Sequence, residues 1–169
     1  MSIHAKVAPV VEASGHDDFL RAYLETLSMV ERLHRLLLDV VKDEFERLGI
    51  IDINSVQALL LFNIGDNEVT AGELKTRGYY QGSNVSYNLK KLVECGYMHH
   101  QKCDVDRRAV RVRLTEKGRG IRRIIADLFQ RHASGILGRE VLGGMRLEDI
   151  NASLRRMERY WTDQIRYIY

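Results

Sequence analysis

The chain is poor in the residues that interrupt helices or build metal sites. Its 169 residues include one proline, Pro9, and two cysteines, Cys95 and Cys103. The scarcity of proline and of turn clusters indicates a mostly helical protein, and two cysteines are too few for a four-cysteine zinc site. His99 and His100 are adjacent in a segment that reads as a strand, so they project from opposite faces and cannot bind one metal ion. We expect no metal and no cofactor.

Signatures of enzymes and of membrane insertion are also missing from the sequence. There is no phosphate-binding loop, no dinucleotide-binding glycine pattern and no Ser-His-Asp order. No apolar run approaches the ~18 residues of a membrane-spanning helix, and the first residues lack the apolar segment of a signal peptide. The sequence therefore predicts a cytoplasmic protein that is not an enzyme and has no membrane partner.

Positive charge is concentrated in the middle of the chain. The net charge is +3, but residues 77–123 hold twelve Lys or Arg and four Asp or Glu, a net charge of +8. The rest of the chain holds 14 basic and 19 acidic residues, a net charge of −5. A local positive field of this kind is expected for binding the phosphates of nucleic acid, although a solvated charged face would have the same composition.

The first fifty residues predict an arm followed by a long helix. Residues 1–15 show no periodicity, and we expect them to form a flexible arm. From Asp17 the apolar residues recur every three or four positions until Gly49, which predicts one helix about 45 Å long. One small domain cannot cover a helix of this length, so residues 16–50 are expected to contribute to dimerisation.

Residues 51–117 predict a lobe of short elements. A helix capped within Asn54–Ser55 precedes a short helix that opens with a capping box, Thr70–Glu73. A third helix is capped within Ser83–Asn84 and ends at Gly96. Its inward stripe is Val85, Leu89, Leu92 and Val93.

A hairpin follows this third helix. Its predicted strands contain Tyr97–Gln101 and Val110–Leu114, and its tip contains Cys103–Arg108. In the second strand Val and Leu alternate with Arg111 and Arg113, which places apolar and cationic side chains on opposite faces.

Residues 118–169 predict two further helices. The first reaches about Leu137 and the second starts near Arg146. The second carries an apolar stripe almost to its end, including Trp161, and a partner subunit is the expected place for its burial. We therefore expect this segment to supply C-terminal dimerisation helices.

The order of these elements resembles the MarR family of bacterial transcriptional regulators over Asp17–Tyr169. The motifs that carry the resemblance are Ser83-x-Val85-Ser86, Leu92-x-x-x-Gly96-Tyr97, Asp106-x-Arg108 and Leu114-Thr115-x-x-Gly118. The resemblance implies a mainly α winged helix-turn-helix with a two-stranded β-wing, flanked by N- and C-terminal dimerisation helices. It also implies a homodimer on a pseudo-palindromic operator in double-stranded DNA, with recognition helices in major grooves and wings in the flanking minor grooves.

The candidate DNA contacts lie on the recognition helix and the wing. Helix periodicity turns the polar side chains of that helix outward, where they suit bases and phosphates. The candidate residues are Ser83, Asn84, Ser86, Tyr87, Lys90, Lys91, Arg107, Arg108 and Arg111. The resemblance implies that Asp106 pairs with a neighbouring arginine to stabilise the wing. Many family members carry a basic residue where this sequence has Tyr87, so the half-site does not carry over.

The resemblance further implies a small aromatic or phenolic effector that alters the repression or activation of transcription. Val41, Leu59 and Phe62 are the candidate effector pocket, although a plain core would use the same residues. Two alternatives stay open at this point. The first is a cysteine-based redox-responsive regulator using Cys103, with Cys95 expected to be buried. The second is a winged helix that acts as a protein-interaction module.

Overall fold

The computed structural model describes residues 11–76, 82–102 and 110–168. Within these ranges helices dominate, and a small antiparallel sheet accompanies them. In chain order the elements are α1 (Val11–Leu48), α2 (Ser55–Ile64), β1 (Val69–Thr70), α3 (Ala71–Thr76), α4 (Gly82–Glu94), β2 (Met98–Lys102), β3 (Val110–Leu114), α5 (Glu116–Gly138) and α6 (Leu147–Ile168). The fold is the mainly α winged helix-turn-helix that the sequence predicts.

Helix α1 starts earlier than the periodicity predicts. It includes residues 11–15, which were expected to belong to a flexible arm, whereas residues 1–10 lie outside the described ranges. The physical reason is that no helix breaker follows Pro9 except Gly15, and one glycine costs a helix only about 1 kcal/mol. At 1.5 Å per residue, α1 is about 57 Å long.

Two helices end in the same glycine-dependent turn. Gly49 follows α1 with φ +69, and the Ile50 N–H donates to the Phe45 carbonyl over 2.9 Å. Gly96 follows α4 with φ +76, and the Tyr97 N–H donates to the Leu92 carbonyl over 2.8 Å. This Schellman arrangement needs a left-handed residue that glycine adopts without strain. It explains why both predicted helix ends are confirmed.

Capping boxes set the starts of two other elements. At α2 the Asn54 side chain accepts from the Gln57 N–H over 2.9 Å, and Gln57 Oε1 accepts from the Asn54 N–H over 3.2 Å. The structure thus selects Asn54 over Ser55 as the cap. At α3 the Glu73 N–H donates to Thr70 Oγ1 over 3.1 Å, and the Thr70 N–H donates to Glu73, as the sequence predicts.

The sheet has three strands in the order β1-β3-β2, so the predicted two-stranded wing, β2 and β3, is present and a short strand is added at its edge. The additional strand, β1, has two residues and pairs Val69 with Val112. Its pairing is favoured because the Val69 side chain is buried in the core. Two residues are too few to produce a periodic signal, so the sequence pattern did not reveal this strand.

The described chain forms two compact units, which divide within α5 between Ile125 and Ala126. The first unit holds the apolar core that joins α2, α4 and the sheet. Its buried apolar residues are Val41, Phe45, Ile53, Ala58, Leu59, Leu60, Leu61, Ile64, Val69, Leu74, Val85, Leu89, Leu92, Tyr97, Met98, Val112, Leu114, Ile121 and Ile125. Each large side chain buried there contributes about 1.5–3 kcal/mol to folding.

The second unit contains the rest of α5 and helix α6. It leaves much of its apolar surface exposed, including Leu137, Leu154 and Trp161. No described helix is long and apolar enough to cross a membrane.

Candidate nucleic-acid interface

Helix α4 has one face in the core and one face in solvent. Val85, Leu89 and Leu92 are buried, as the inward stripe predicts, and Val93 is half-buried. The exposed residues among the candidate contacts are Asn84, Ser86, Tyr87, Lys90 and Lys91. The phenol-bearing Tyr87 is 61% exposed. Ser83 lies within α4, but its side chain is outside the described part of the chain.

A buried polar pair fixes α4 against α2. The Gln57 Nε2 donates to Asn88 Oδ1 over 3.2 Å, and both side chains are buried. Gln57 also completes the capping box of α2. Sequence reasoning missed Asn88 as a positioning residue. The sequence feature that could have identified Asn88 is its position on the inward side of α4, three residues after Val85 and four before Leu92.

The two lysines of α4 share one acidic neighbour. Lys91 Nζ lies 3.0 Å from Glu94 Oε2, and Lys90 Nζ lies 3.9 Å from Glu94 Oε1. The hydrogen bond from Lys91 to Glu94 raises the pKa of Lys91 above its ordinary value. Exposed pairs of this kind contribute little free energy, so a phosphate can replace Glu94 as the partner.

The wing strands separate two kinds of side chain. In the β2–β3 ladder, Met98 pairs with Leu114 and His100 pairs with Val112, which puts these four on one face. Met98, Val112 and Leu114 are buried. Arg111 and Arg113 lie on the opposite face with Gln101 and His99, and all four are exposed. The predicted alternation and the opposite directions of the two histidines are confirmed.

A groove of about 530 Å³ runs between α4 and the wing strands. Its lining comprises Ser86, Leu89, Lys90, Val93, Glu94, His100 and Val112. The apolar part comes from both elements, with Leu89 and Val93 on α4 and Val112 on β3. Sequence reasoning did not place His100 here, although its separation of two residues from buried Met98 puts both on one strand face.

The segment before α2 is also joined to the end of α4 and the start of α5. The Tyr97 hydroxyl donates to Asp52 Oδ1 over 2.6 Å, and Lys117 Nζ donates to Asp52 Oδ2 over 2.7 Å. Lys117 Nζ lies 4.0 Å from the centroid of the Tyr97 ring. The hydrogen bonds from Lys117 and Tyr97 lower the pKa of Asp52. Burial, reinforced by the bond to Asp52, raises the pKa of Tyr97 to about 12.

The chain is similar to known proteins both in sequence and in fold. Residues 53–118 match a family described as "Winged helix DNA-binding domain". The chain is 36% identical over 163 residues to the exopolysaccharide II synthesis transcriptional activator ExpG of Rhizobium meliloti (strain 1021), covering 94% of this chain and 81% of that protein. A MarR transcriptional regulator from Methanosarcina mazei Go1 superposes with a TM-score of 0.59 and 22% identity, covering 80% of this chain and 95% of the regulator.

The chain is a transcriptional regulator of the MarR family. Streptococcus pneumoniae FabT in complex with DNA shares the fold, with a TM-score of 0.57 and 24% identity over 84% of this chain and 99% of FabT. The MarR family consists of DNA-binding proteins and not of enzymes, in agreement with the absence of catalytic motifs from the sequence.

Four candidate residues lie outside the described ranges. They are Cys103, Asp106, Arg107 and Arg108, all in the segment between β2 and β3. Cys95 was expected to be buried, and this is wrong, because Cys95 is exposed. It lies in the turn that follows α4, where its neighbours Glu94 and Gly96 are exposed as well. Among the described residues, no group of three or more His, Cys, Asp or Glu is placed to hold a metal ion.

The candidate effector residues of this MarR protein are part of the first unit. Val41 and Leu59 are buried, and Phe62 is half-buried. Such burial suits the core, which was the alternative role for these positions.

Proposed function

We propose that two copies of this MarR family protein bind a pseudo-palindromic operator and regulate transcription from it. Each α4 enters a major groove, and each wing reaches the flanking minor groove. The observation that carries the proposal is the exposed polar face of α4, from Asn84 to Lys91, beside an arginine-bearing wing. Both lie in the segment whose net charge is +8.

Apolar surface on both units supports the homodimer. In the first unit α1 leaves Phe19 73% and Leu33 58% exposed. In the second unit Leu137 is 82% and Ile165 is 63% exposed. Isolated subunits seldom leave so much large apolar surface in water, and burial between copies would remove it. We therefore infer that residues 16–50 and 118–169 supply the dimer contacts.

Activation is the favoured direction of regulation. ExpG is named as an activator, and this chain matches it over 81% of its length. The choice between activation and repression is decided by deleting the gene and measuring transcripts from the bound promoters. Lower transcript levels support activation, whereas higher levels support repression.

The DNA-binding proposal is tested with the sites that the protein occupies in its own genome. Footprinting supplies the half-site and the distance between half-sites, which should be close to one DNA turn, about 34 Å. Fluorescence anisotropy on that duplex should then show an affinity that falls steeply as salt rises from 50 to 200 mM, on the order of 10³-fold or more for six or more phosphate contacts. Light scattering should give about twice 19.5 kDa. Salt-independent affinity would favour a protein-interaction module instead.

A small aromatic or phenolic effector is part of the proposal. It would shift the population between spacings of the two recognition helices, and Val41, Leu59 and Phe62 are the residues proposed to contact it. Benzoate and 4-hydroxybenzoate are suitable probes. Either compound should change the affinity of the wild-type protein for the operator, but not the affinity of Phe62→Ala. An unchanged wild-type affinity contradicts the proposed effector site for these two probes.

A further inference from the structure

The groove between α4 and the wing strands lies at a defined place in the proposed complex. In B-form DNA one sugar-phosphate strand separates a major groove from the adjacent minor groove. If α4 enters the first and the wing enters the second, that strand must cross the surface between them. This surface is the groove lined by Lys90, His100 and Val112. The inference rests on the proposed function.

The lining of the groove suits a sugar-phosphate strand. Leu89, Val93 and Val112 provide an apolar floor for the carbon face of deoxyribose. Lys90 Nζ is an exposed cation whose contact with Glu94 is long, at 3.9 Å. Glu94, the acidic group of the lining, is held by Lys91 at 3.0 Å and is thereby partly neutralised.

His100 is a further polar group that lines the groove. It shares the sheet face of Val112, on which the groove is formed, whereas its neighbour His99 projects to the opposite face with Arg113. Of the described groups that line the groove with His100, the charged ones are Lys90 and Glu94 of α4, and β3 contributes the apolar Val112. Among the described residues that line the groove, Lys90 is therefore the cation that accompanies His100.

We propose that His100, together with Lys90, binds a backbone phosphate of the operator in this groove. The imidazolium donates a charge-assisted hydrogen bond to the phosphate oxygen, and the phosphate in turn favours the protonated ring. Only the protonated ring makes this charge-assisted bond, so formation of the contact is coupled to uptake of a proton. DNA affinity is then expected to be higher at pH 5.8 than at pH 8.0, and His99 has no part in the effect.

The adjacent histidines provide a matched pair of variants. His100→Gln and His99→Gln each remove one exposed imidazole from the same strand. Operator affinity is measured by anisotropy at pH 5.8 and pH 8.0, at several salt concentrations, after urea unfolding confirms that both variants are folded. The wild type and His99→Gln should bind on the order of tenfold more tightly at pH 5.8 than His100→Gln does. At pH 8.0 all three should bind within about twofold of one another.

The salt dependence gives a second readout of the same contact. At pH 5.8 the slope of log affinity against log salt should be steeper by about 0.9 per contact in the wild type than in His100→Gln. Lys90→Gln should reduce the slope at both pH values, because it removes a phosphate contact that does not depend on the imidazole. Identical pH profiles for His99→Gln and His100→Gln overturn the inference.

Two further outcomes are distinguishable from these. The first is that the wild-type protein binds the duplex weakly and with an affinity that does not depend on salt at either pH. This result contradicts the proposed function itself. The second outcome is that the groove holds a small aromatic anion in place of a phosphate. In that case benzoate weakens operator binding by the wild type and not by His100→Gln, while the two proteins bind DNA equally in its absence. That result also overturns the phosphate contact.

Discussion

Gly118 in the first turn of α5 lies directly against the backbone of Tyr97. A Cβ at position 118 would stand 2.2 Å from the Tyr97 carbonyl oxygen, far inside van der Waals contact. The same oxygen accepts the Thr115 N–H over 3.1 Å, and Thr115 Oγ1 accepts the Gly118 N–H over 3.1 Å. The glycine therefore permits the close approach of α5 to the segment between α4 and β2.

This contact reverses the usual effect of replacing a helical glycine by alanine. Gly118→Ala is expected to lower the free energy of unfolding by about 2 kcal/mol, because backbone must move to admit the methyl group. Gly120→Ala is the control, since its nearest neighbour is a flexible Arg123 nitrogen 4.0 Å away. That variant should gain about 0.5–1 kcal/mol. Urea unfolding measures both, and equal effects would contradict the contact.

The bond from Tyr97 to Asp52 predicts a pH dependence of stability. The pKa of Tyr97 is raised to about 12, so its contribution is complete below pH 10 and is lost as the pH rises from 10 to 12. The pKa of Asp52 is lowered, so its contribution is complete above about pH 4 and is lost in more acidic solution. Tyr97→Phe should cost about 1 kcal/mol at pH 7 and reduce the alkaline component, the remainder of which comes from Lys117, whose pKa is also raised by its bond to Asp52.

The control for this variant is Tyr87→Phe on the exposed face of α4. It should leave the free energy of unfolding unchanged within about 0.5 kcal/mol. Urea titrations at pH 7, 10 and 11 compare the two. If Tyr97→Phe loses stability above pH 10 as steeply as the wild type does, the tyrosine does not supply the alkaline component.

Variants at Asn88 and Asn84 distinguish the positioning of α4 in the fold from the contacts that α4 makes with DNA. Asn88→Ala leaves the Gln57 amide buried without its acceptor, so it should cost about 1–3 kcal/mol of stability. Asn84→Ala, at an exposed position, should change stability by less than about 0.5 kcal/mol yet weaken operator binding. Thermal unfolding and anisotropy give the two quantities. Unchanged operator affinity in Asn84→Ala would remove this residue from the interface.

Arg108 in the wing tip is expected to contact DNA. If the arginine contacts a base edge, Arg108→Ala should weaken binding to the operator by about 1–3 kcal/mol. If it contacts a phosphate, the variant should weaken binding to DNA of every sequence by the same amount. Arg113→Ala is the comparison, because Arg113 lies beside His99 on the exposed sheet face. Anisotropy on specific and unrelated duplexes distinguishes the cases. An intact affinity in Arg108→Ala contradicts the placement of the wing contact.

The sequence by itself determined the features that depend on near neighbours. The Thr70–Glu73 capping box, the end of α4 at Gly96 and the alternation around Val112 are all visible in the pattern. The first two rest on hydrogen bonds between residues no more than five positions apart, and the third rests on the alternating direction of side chains along an extended strand. Such interactions form wherever the local residues allow them, so the helices, the hairpin and the family resemblance follow from reading along the chain.

Tertiary structure decided the relationships between distant residues. The pairing of Val69 with Val112, the burial of Asn88 against Gln57 and the approach of Gly118 to Tyr97 depend on how the elements pack. The groove that brings His100 beside Lys90 has the same origin. Periodicity reports which face of an element is apolar, but the neighbour that covers this face is chosen by close packing across the whole core.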